Sequence, residues 1–302
     1  MHPLVTVVMA TYQGEKYLKI QIESLLAQDY PNLEFIWVDD ASTDQSLSIL
    51  KEYASQDVRI QILENLKNEG HNAAFERGMK VANGEYIALS DQDDYWVPSK
   101  ISTLVNGIGN YSLIYSDSQL IDQAGRELPL KMSGLKRQIA YNSPLMYTFG
   151  AWAPGHSMLF KKKVLETALP LSNWVTHDYL LGFSATCHKG IAYIPIPLVH
   201  YRQHESNAIG ANFKNAKKLY QTRSERNMRI CERIKILADR CQDSKEKQLF
   251  EQLYIDFSGN SLFNRMRRCK TVLKYRDDML AYKGKSSLGN FLYCFKLLFS
   301  IY

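Results

Sequence analysis

Cysteine is scarce and scattered in this chain of 302 residues. The five, Cys187, Cys231, Cys241, Cys269 and Cys294, include no CxxC spacing. An odd, dispersed set argues against a disulfide framework and a structural zinc site, and it fits a reducing compartment. Cys187 has no His and Asp arrangement that would make it a nucleophile. No apolar run reaches the roughly 20 residues of a membrane-spanning helix. The amino terminus, MHPLVTVVMATYQG, lacks a basic leader and a small-residue cleavage site, so it reads as a first strand rather than a secretion signal. Glycine-rich phosphate loops are missing too. No GxGxxG follows the first strand and no GxxxxGK(S/T) occurs anywhere, which excludes the usual Rossmann dinucleotide site and a P-loop.

What the chain does have is acid in one place. Ser90-Asp91-Gln92-Asp93-Asp94 sets three carboxylates within four residues, directly after the apolar run Tyr86-Ile87-Ala88-Leu89. Carboxylates this close repel one another unless a positive charge sits among them. A hard divalent cation supplies that charge, and such sites combine one or two carboxylates with substrate phosphates. The bland alternative is an acidic turn that solvates itself.

The amino-terminal part alternates strand and helix signals. Leu4 to Ala10 is an apolar, β-branched run ending in a turn at Thr11-Tyr12-Gln13-Gly14. Glu15 to Gln28 carries apolar residues at helical spacing, and Leu33 to Val38 is a second strand stopping at Asp39-Asp40. Ser42-Thr43-Asp44 offers an N-cap for a helix through about Ser55. Val58 to Leu63, Asn72 to Ala82 and Glu85 to Leu89 continue as strand, helix and strand. This order predicts an α/β fold of βαβ units with a mostly parallel sheet flanked by helices. Ligands of such sheets bind beyond the carboxyl ends of the strands, where Thr11-Tyr12, Asp39-Asp40 and Asp91 to Asp93 all fall.

With these segments in order, the sequence resembles the family 2 glycosyltransferases of the GT-A fold. The matching stretches are VTVVMATYQGEKYLKIQIESLLAQDYPN, FIWVDDASTD, ANGEYIALSDQDDYWVPSK, HDYLL and YRQHESNAIG, together covering about residues 4–210. The SDQDD-x-W form is similar in particular to rhamnosyltransferase-like enzymes of bacterial cell-surface polysaccharide assembly. The resemblance implies an inverting transfer from a UDP- or dTDP-sugar, dTDP-rhamnose among them, to a saccharide or polyprenyl-linked saccharide, with Mn²⁺ or Mg²⁺ as cofactor. By position it implies that Thr11, Tyr12 and Glu15 line the nucleotide pocket, that Asp40 meets the base, and that Asp91 approaches the ribose. Asp93 would bind the metal, supported by Asp94 and by His204. Asp178 in Thr176-His177-Asp178-Tyr179 stands at the position of the catalytic base. The chain departs from the family at Gln13, where Asn is usual. It departs again at Ala73-Ala74-Phe75-Glu76-Arg77, which leaves Arg77 as the basic residue offered to the diphosphate.

Trp152, in the Gly/Pro-rich loop Gly150 to His156, is the candidate for stacking on an acceptor sugar, with His156, His177 and Arg202 beside it. Each has a plainer reading as a packing residue, and Asp178 has one as a helix N-cap.

Charge is unevenly divided. Residues 214–302 hold 20 Lys and Arg against 9 Asp and Glu, whereas the remainder holds 17 against 22. Two regions follow, a catalytic domain over 1–213 and a basic helical region over 214–302. The latter ends in the aromatic run Asn290 to Tyr302. Basic helices with such a tail suit the cytoplasmic face of an anionic membrane, so a cytoplasmic, peripheral location is expected. An oligomerisation surface or the packing face of a helical subdomain are the alternatives, and no nucleic-acid partner is expected. Two other functions compete. A nucleotidyltransferase would normally show a glycine-rich loop near the first strand, and TYQGEKY is not one. A non-catalytic sugar-nucleotide or polyanion binder has no need of both Asp93 and Asp178.

Overall fold

The protein, described by a computed structural model over residues 2–204, 223–284 and 286–299, is a mixed α/β molecule built on one curled, mostly parallel sheet. The expected boundary at 213/214, Leu219, the Glu205 to Gly210 part of the last family stretch and residues 300–302 lie outside the described residues. Strands β1 (Val5–Thr11), β2 (Leu33–Asp39), β3 (Ile60–Glu64) and β4 (Tyr86–Ser90) pair in parallel in the order β3-β2-β1-β4. The sheet continues through antiparallel β8 (Met158–Lys161) to β6 (Leu113–Ile121), then to β9 (Ile191–Arg202), which runs parallel to β6. The two-residue β5 (Tyr95–Trp96) closes on β9, and β7 (Glu127–Lys131) on β6. Pro195 and Pro197 lie within β9, where the register against Ser116 to Ser118 slips, because proline has no N–H for the ladder.

Alternation of side chains assigns each strand to two cores. Val5, Val7 and Met9 pack with Phe35 and Trp37 against helices α1 (Glu15–Leu26), α2 (Ser46–Ala54) and α4 (Lys100–Ile108). Val8, Ile36 and Val38 face the other way, against α3 (His71–Val81) and α7 (His177–Thr186). The short helices α5 (Met132–Leu135) and α6 (Leu165–Ala168) sit in the connections between them. Each of these fully buried aliphatic side chains contributes about 1.5–3 kcal/mol relative to exposure.

Helix α2 starts later than Ser42-Thr43-Asp44 suggests. The Gln13 carboxamide oxygen accepts from the Asp44 N–H at 3.1 Å, and Asp44 in turn caps Ser46, whose N–H donates to Oδ1 at 2.9 Å. The other Asp44 oxygen accepts from the Glu15 N–H at 3.1 Å, and Glu15 Oε2 accepts from the Gln45 N–H at 2.9 Å. These crossed caps tie the starts of α1 and α2 together.

The carboxy-terminal helices are α8 (Arg223–Arg240), α9 (Ser244–Ser258), α10 (Leu262–Lys274), α11 (Arg276–Met279) and α12 (Ser287–Phe299). Ile234, Leu237, Phe250, Leu253, Val272 and Leu297 belong to the same core as α3 and α7. Arg240 reinforces the contact by donating to the carbonyls of Thr167 at 2.9 Å and Leu169 at 2.6 Å. These basic helices therefore share their inner faces with the core of the sheet, and Arg240 and Arg268 turn inward among them. No helix among the described residues is long and apolar enough to cross a membrane.

Candidate active site

Strand register brings the expected residues to one place. Thr11 pairs with Asp39, and Met9 pairs with Ser90, so the next residues of β1, β2 and β4 emerge side by side. They open into a cleft of about 390 Å³ whose lining includes Thr11, Tyr12, Asp40, Asp91, Asp93 and Asp178. Thr11 is buried, and its carbonyl accepts from the Asp40 N–H at 2.8 Å. The Tyr12 ring is exposed, while its backbone is clamped by Gln92, whose Oε1 accepts from Tyr12 N–H at 2.8 Å and whose Nε2 donates to Tyr12 O at 3.0 Å. Gly14 makes room for that clamp, since a Cβ there would fall 2.4 Å from Gln92 Oε1.

Asp40 is buried and already well supplied with donors. Asn65 Nδ2 reaches it at 2.6 Å, the Glu69 N–H at 3.0 Å and the Gly70 N–H at 2.8 Å. It thereby moors the loop between β3 and α3 to the edge of the cleft. A carboxylate offers about four acceptor sites, so one remains. Glu15 and Arg77 do not line the cleft. Glu15 is engaged with Gln45, and Arg77 turns to the end of β3, donating to the Glu64 carbonyl at 2.7 Å and to Asn65 Oδ1.

The acidic loop wraps around the basic residue that closes the ANGEYIALSDQDDYWVPSK stretch. Lys100 is fully buried at the start of α4; its Nζ donates to the His156 carbonyl at 2.6 Å and lies 3.0 Å from the Trp96 ring centroid. Burial lowers its pKa well below the ordinary lysine value, against the pull of Asp94 and Asp91. Burial raises Asp91 to about 7, with the charges of Asp93 and Asp178 adding to the effect. Asp94 is completely buried and raised well above the usual carboxylate range by burial and by Asp93 and Asp91. Its Oδ1 accepts from the Arg202 N–H at 3.1 Å, and its Oδ2 has no hydrogen-bond partner.

Oxygens of Asp91 and Asp94 and a ring nitrogen of His156 lie within 4.8 Å of one another. The two carboxylates suit Mn²⁺ or Mg²⁺, and the partnerless Asp94 oxygen is the acceptor such an ion would satisfy. Of the expected ligands Asp93, Asp94 and His204, Asp93 and His204 also stand together, with Asp93 Oδ2 2.8 Å from His204 Nε2. His156 is buried, stacked on Tyr201 at 4.4 Å and 2.9 Å from Ser118 Oγ. Burial and the nearby Lys100 push its pKa down to about 3, so it stands as a neutral imidazole.

Arg202 lies behind the acidic loop rather than in the cleft; its guanidinium donates to the Asp93 carbonyl at 2.8 Å and sits over the Tyr17 ring at 4.6 Å.

Asp178 faces this group across the cleft. It is the second residue of α7, whose N-cap is Thr176, so the capping role does not fall to Asp178. Its Oδ1 accepts from the Tyr179 N–H at 2.7 Å and from Thr176 Oγ1; its Oδ2 accepts from Trp152 Nε1 at 3.1 Å. Lys136 Nζ lies 3.8 Å over the Trp152 ring. His177 forms part of the floor, 4.3 Å from Phe75, its pKa lowered to about 4 by burial and by His71, against the pull of Asp178. Sequence reasoning passed over Lys100, Gln92 and Lys136. Only Lys100 left a signal, a charged residue heading the apolar helical run of α4.

The site is thus an acidic basin at the ends of the parallel strands of an α/β sheet, faced across one cleft by the helix-borne carboxylate of Asp178. The model of glycosyl transferase family 2 matches residues 6–168, and the chain belongs to that family. It is 27% identical over 230 residues to the putative glycosyltransferase EpsH of Bacillus subtilis, covering 73% of this chain and 66% of that one. It is 30% identical to the dTDP-rhamnosyl transferase RfbG of Shigella flexneri, covering 68% of this chain and 74% of the relative. The chain therefore spans just under two thirds of EpsH, and less of several others. Among solved structures, Staphylococcus aureus TarS 1–349 in complex with UDP-GlcNAc superposes with a TM-score of 0.61 at 17% identity, over 91% of this chain and 81% of TarS. The mannosyltransferase PcManGT of Pyrobaculum calidifontis, in complex with GDP-Man and Mn²⁺, matches over 100% of this chain and 81% of its own, at 16% identity and a TM-score of 0.55. These two establish the GT-A fold.

Proposed function

We propose that this chain is a metal-dependent inverting glycosyltransferase of cell-surface polysaccharide assembly. The donor is a UDP- or dTDP-sugar, with dTDP-rhamnose the first to try, and the acceptor a saccharide, including one carried on a polyprenyl lipid at the cytoplasmic face of the membrane. The observation that carries this reading is the convergence of Asp40, Asp91, Asp93 and Asp178 on one cleft in a chain without a glycine-rich phosphate loop. The relatives support the finer choices: RfbG is named for dTDP-rhamnosyl transfer, and WfaP of Escherichia coli, 36% identical over 115 residues, for glucosyl transfer to a GlcNAc-diphosphoundecaprenol.

In the proposed reaction the nucleotide lies along Thr11, Tyr12 and Asp40, with its diphosphate over the acidic basin. Asp91, Asp94 and His156 would hold the Mn²⁺ or Mg²⁺, which when bound supplies Lewis-acid stabilisation of the departing diphosphate. Trp152 and the Thr176 and Tyr179 donors aim the Asp178 carboxylate into the cleft. Asp178 takes the proton of the acceptor hydroxyl as that oxygen bonds to the anomeric carbon. The bond from that carbon to the diphosphate breaks on the opposite face, and its electron pair leaves with the nucleotide. A positioned base of this kind gives about 10²–10⁴ in rate.

The test is nucleotide release from UDP- and dTDP-sugars with Mn²⁺, with and without saccharide acceptors. Asp178→Asn is expected to abolish acceptor-stimulated release while keeping nucleotide affinity. Asp94→Asn is expected to weaken Mn²⁺ binding in calorimetry. Failure of every donor to bind would sink the reading.

A further inference from the structure

The outer surface of α10 and α12 has no part in the cleft, and its chemistry is distinctive. On α12, Leu288, Leu292, Phe295 and Phe299 are all exposed, at steps of three and four residues that place them on one stripe. The opposite face, with Asn290, Cys294 and Leu297, is buried. On α10, Leu262, Phe263 and Met266 are exposed, and Lys270 and Lys274 continue the same side. The two helices are held together by their inner faces, where buried Arg268 donates to the Leu297 carbonyl at 3.2 Å. Both apolar stripes lie opposite the faces, with Val272, Cys294 and Leu297, that join the main core. Neither helix contains a single Asp or Glu; Arg268 is buried and Arg267 is paired with Asp256, while Lys270, Lys274 and Lys296 are exposed on them.

We infer that this surface docks the protein on an anionic lipid bilayer, with the two helices lying in the plane of the headgroups. Charge selects the occupant. A second copy of the chain would bring the same carboxylate-free basic helices against themselves, and like charges across an interface are unfavourable. The partner must therefore be anionic. It must also take up large aromatic and aliphatic side chains, which the phosphate backbone of a nucleic acid does not offer. A bilayer of anionic lipids does both, and a helix of 13 residues is long enough to lie on it but not to cross it. The geometry of this surface, not the reading of the cleft, carries the inference, and the test below needs no turnover.

The test is sedimentation of the full chain with phosphatidylcholine vesicles, with and without phosphatidylglycerol. Retention is expected on the phosphatidylglycerol vesicles only, falling as salt is raised. Leu292→Gln with Phe295→Gln, and separately Lys270→Glu with Lys274→Glu, should each weaken it at least about tenfold without moving the melting temperature. The inference is overturned by no retention on anionic vesicles or by unchanged retention of both variants. It is also overturned if light scattering shows a dimer that the Leu292 and Phe295 substitutions dissociate, with no vesicle binding by the wild type.

Discussion

Trp152 Nε1 donates to Asp178 Oδ2 at 3.1 Å, so a residue of the loop before β8 directs the proposed base on α7. Trp152→Phe keeps an aromatic face for Lys136 but withdraws the donor. Losing a hydrogen bond to a charged group is worth about 1.5–3 kcal/mol, so acceptor-dependent transfer should fall roughly 10- to 150-fold. Nucleotide affinity should stay constant. An equal drop in nucleotide affinity would assign Trp152 to the donor pocket instead.

The acidic basin has a pH signature in the metal-free protein. Asp91 is raised to about 7 by burial and by its acidic neighbours, and in the unfolded chain it returns to the ordinary carboxylate value near 3.8. Folding takes up a proton between those values. The stability linked to Asp91 is thus fully present in acid and is lost as pH rises to about 7. Asp91→Asn should therefore raise the melting temperature at pH 8, by the equivalent of about 1–2 kcal/mol, and by much less near pH 4. Thermal denaturation with a chelator present checks this; a gain independent of pH would refute it.

Mn²⁺ should reverse that order. It replaces carboxylate repulsion by attraction, so it should raise the melting temperature of the wild type and leave Asp94→Asn nearly unmoved. His204→Ala offers the comparison. If it abolishes the metal effect while Asp94→Asn retains it, the ligand set centres on Asp93 and His204.

The alternation of β1 to β4 with α1 to α3 was legible because periods of two and of about 3.6 leave clear marks in short apolar runs. That is also why Tyr12, Asp40 and Asp91 could be placed at neighbouring strand ends. The partnership of His156 with Asp91 and Asp94 was not legible. It depends on antiparallel β8, entered through the loop before it, being inserted between β4 and β6, and no local pattern records such an insertion. Lys100 closed the SDQDDYWVPSK stretch in plain view, yet its burial beneath the acids is decided by how α4 docks. The orientation of Arg202 and Arg77 away from the cleft was equally hidden, since long side chains choose among carbonyls that only the fold supplies. In the carboxy-terminal helices the charge drew attention to the outer surface and masked the inner faces that join the main core.

Gln92 sits between Asp91 and Asp93 but serves the backbone of Tyr12 with both ends of its carboxamide. Gly14→Ala would press a Cβ to 2.4 Å from Gln92 Oε1 and break that clamp. The expected result is a melting temperature lowered by the equivalent of about 1–3 kcal/mol and weaker nucleotide binding. Gln92→Ala should reproduce the binding defect with a smaller loss of stability. Normal nucleotide affinity in both would place the Tyr12 turn outside the nucleotide site.

Asp40 links stability and recognition in a way two substitutions can separate. Its carboxylate satisfies Asn65 Nδ2 and the Glu69 and Gly70 N–H groups, so Asp40→Ala leaves three half-buried donors without their acceptor. A loss of about 2–3 kcal/mol is expected, with faster hydrogen exchange at the Glu69 and Gly70 amides. Asn65→Ala removes one of those bonds and leaves the carboxylate in place. If Asp40 also meets the base of the donor, Asp40→Ala should weaken nucleotide binding far more than Asn65→Ala does. Parallel losses in the two variants would mean that Asp40 acts on the nucleotide through the loop it moors.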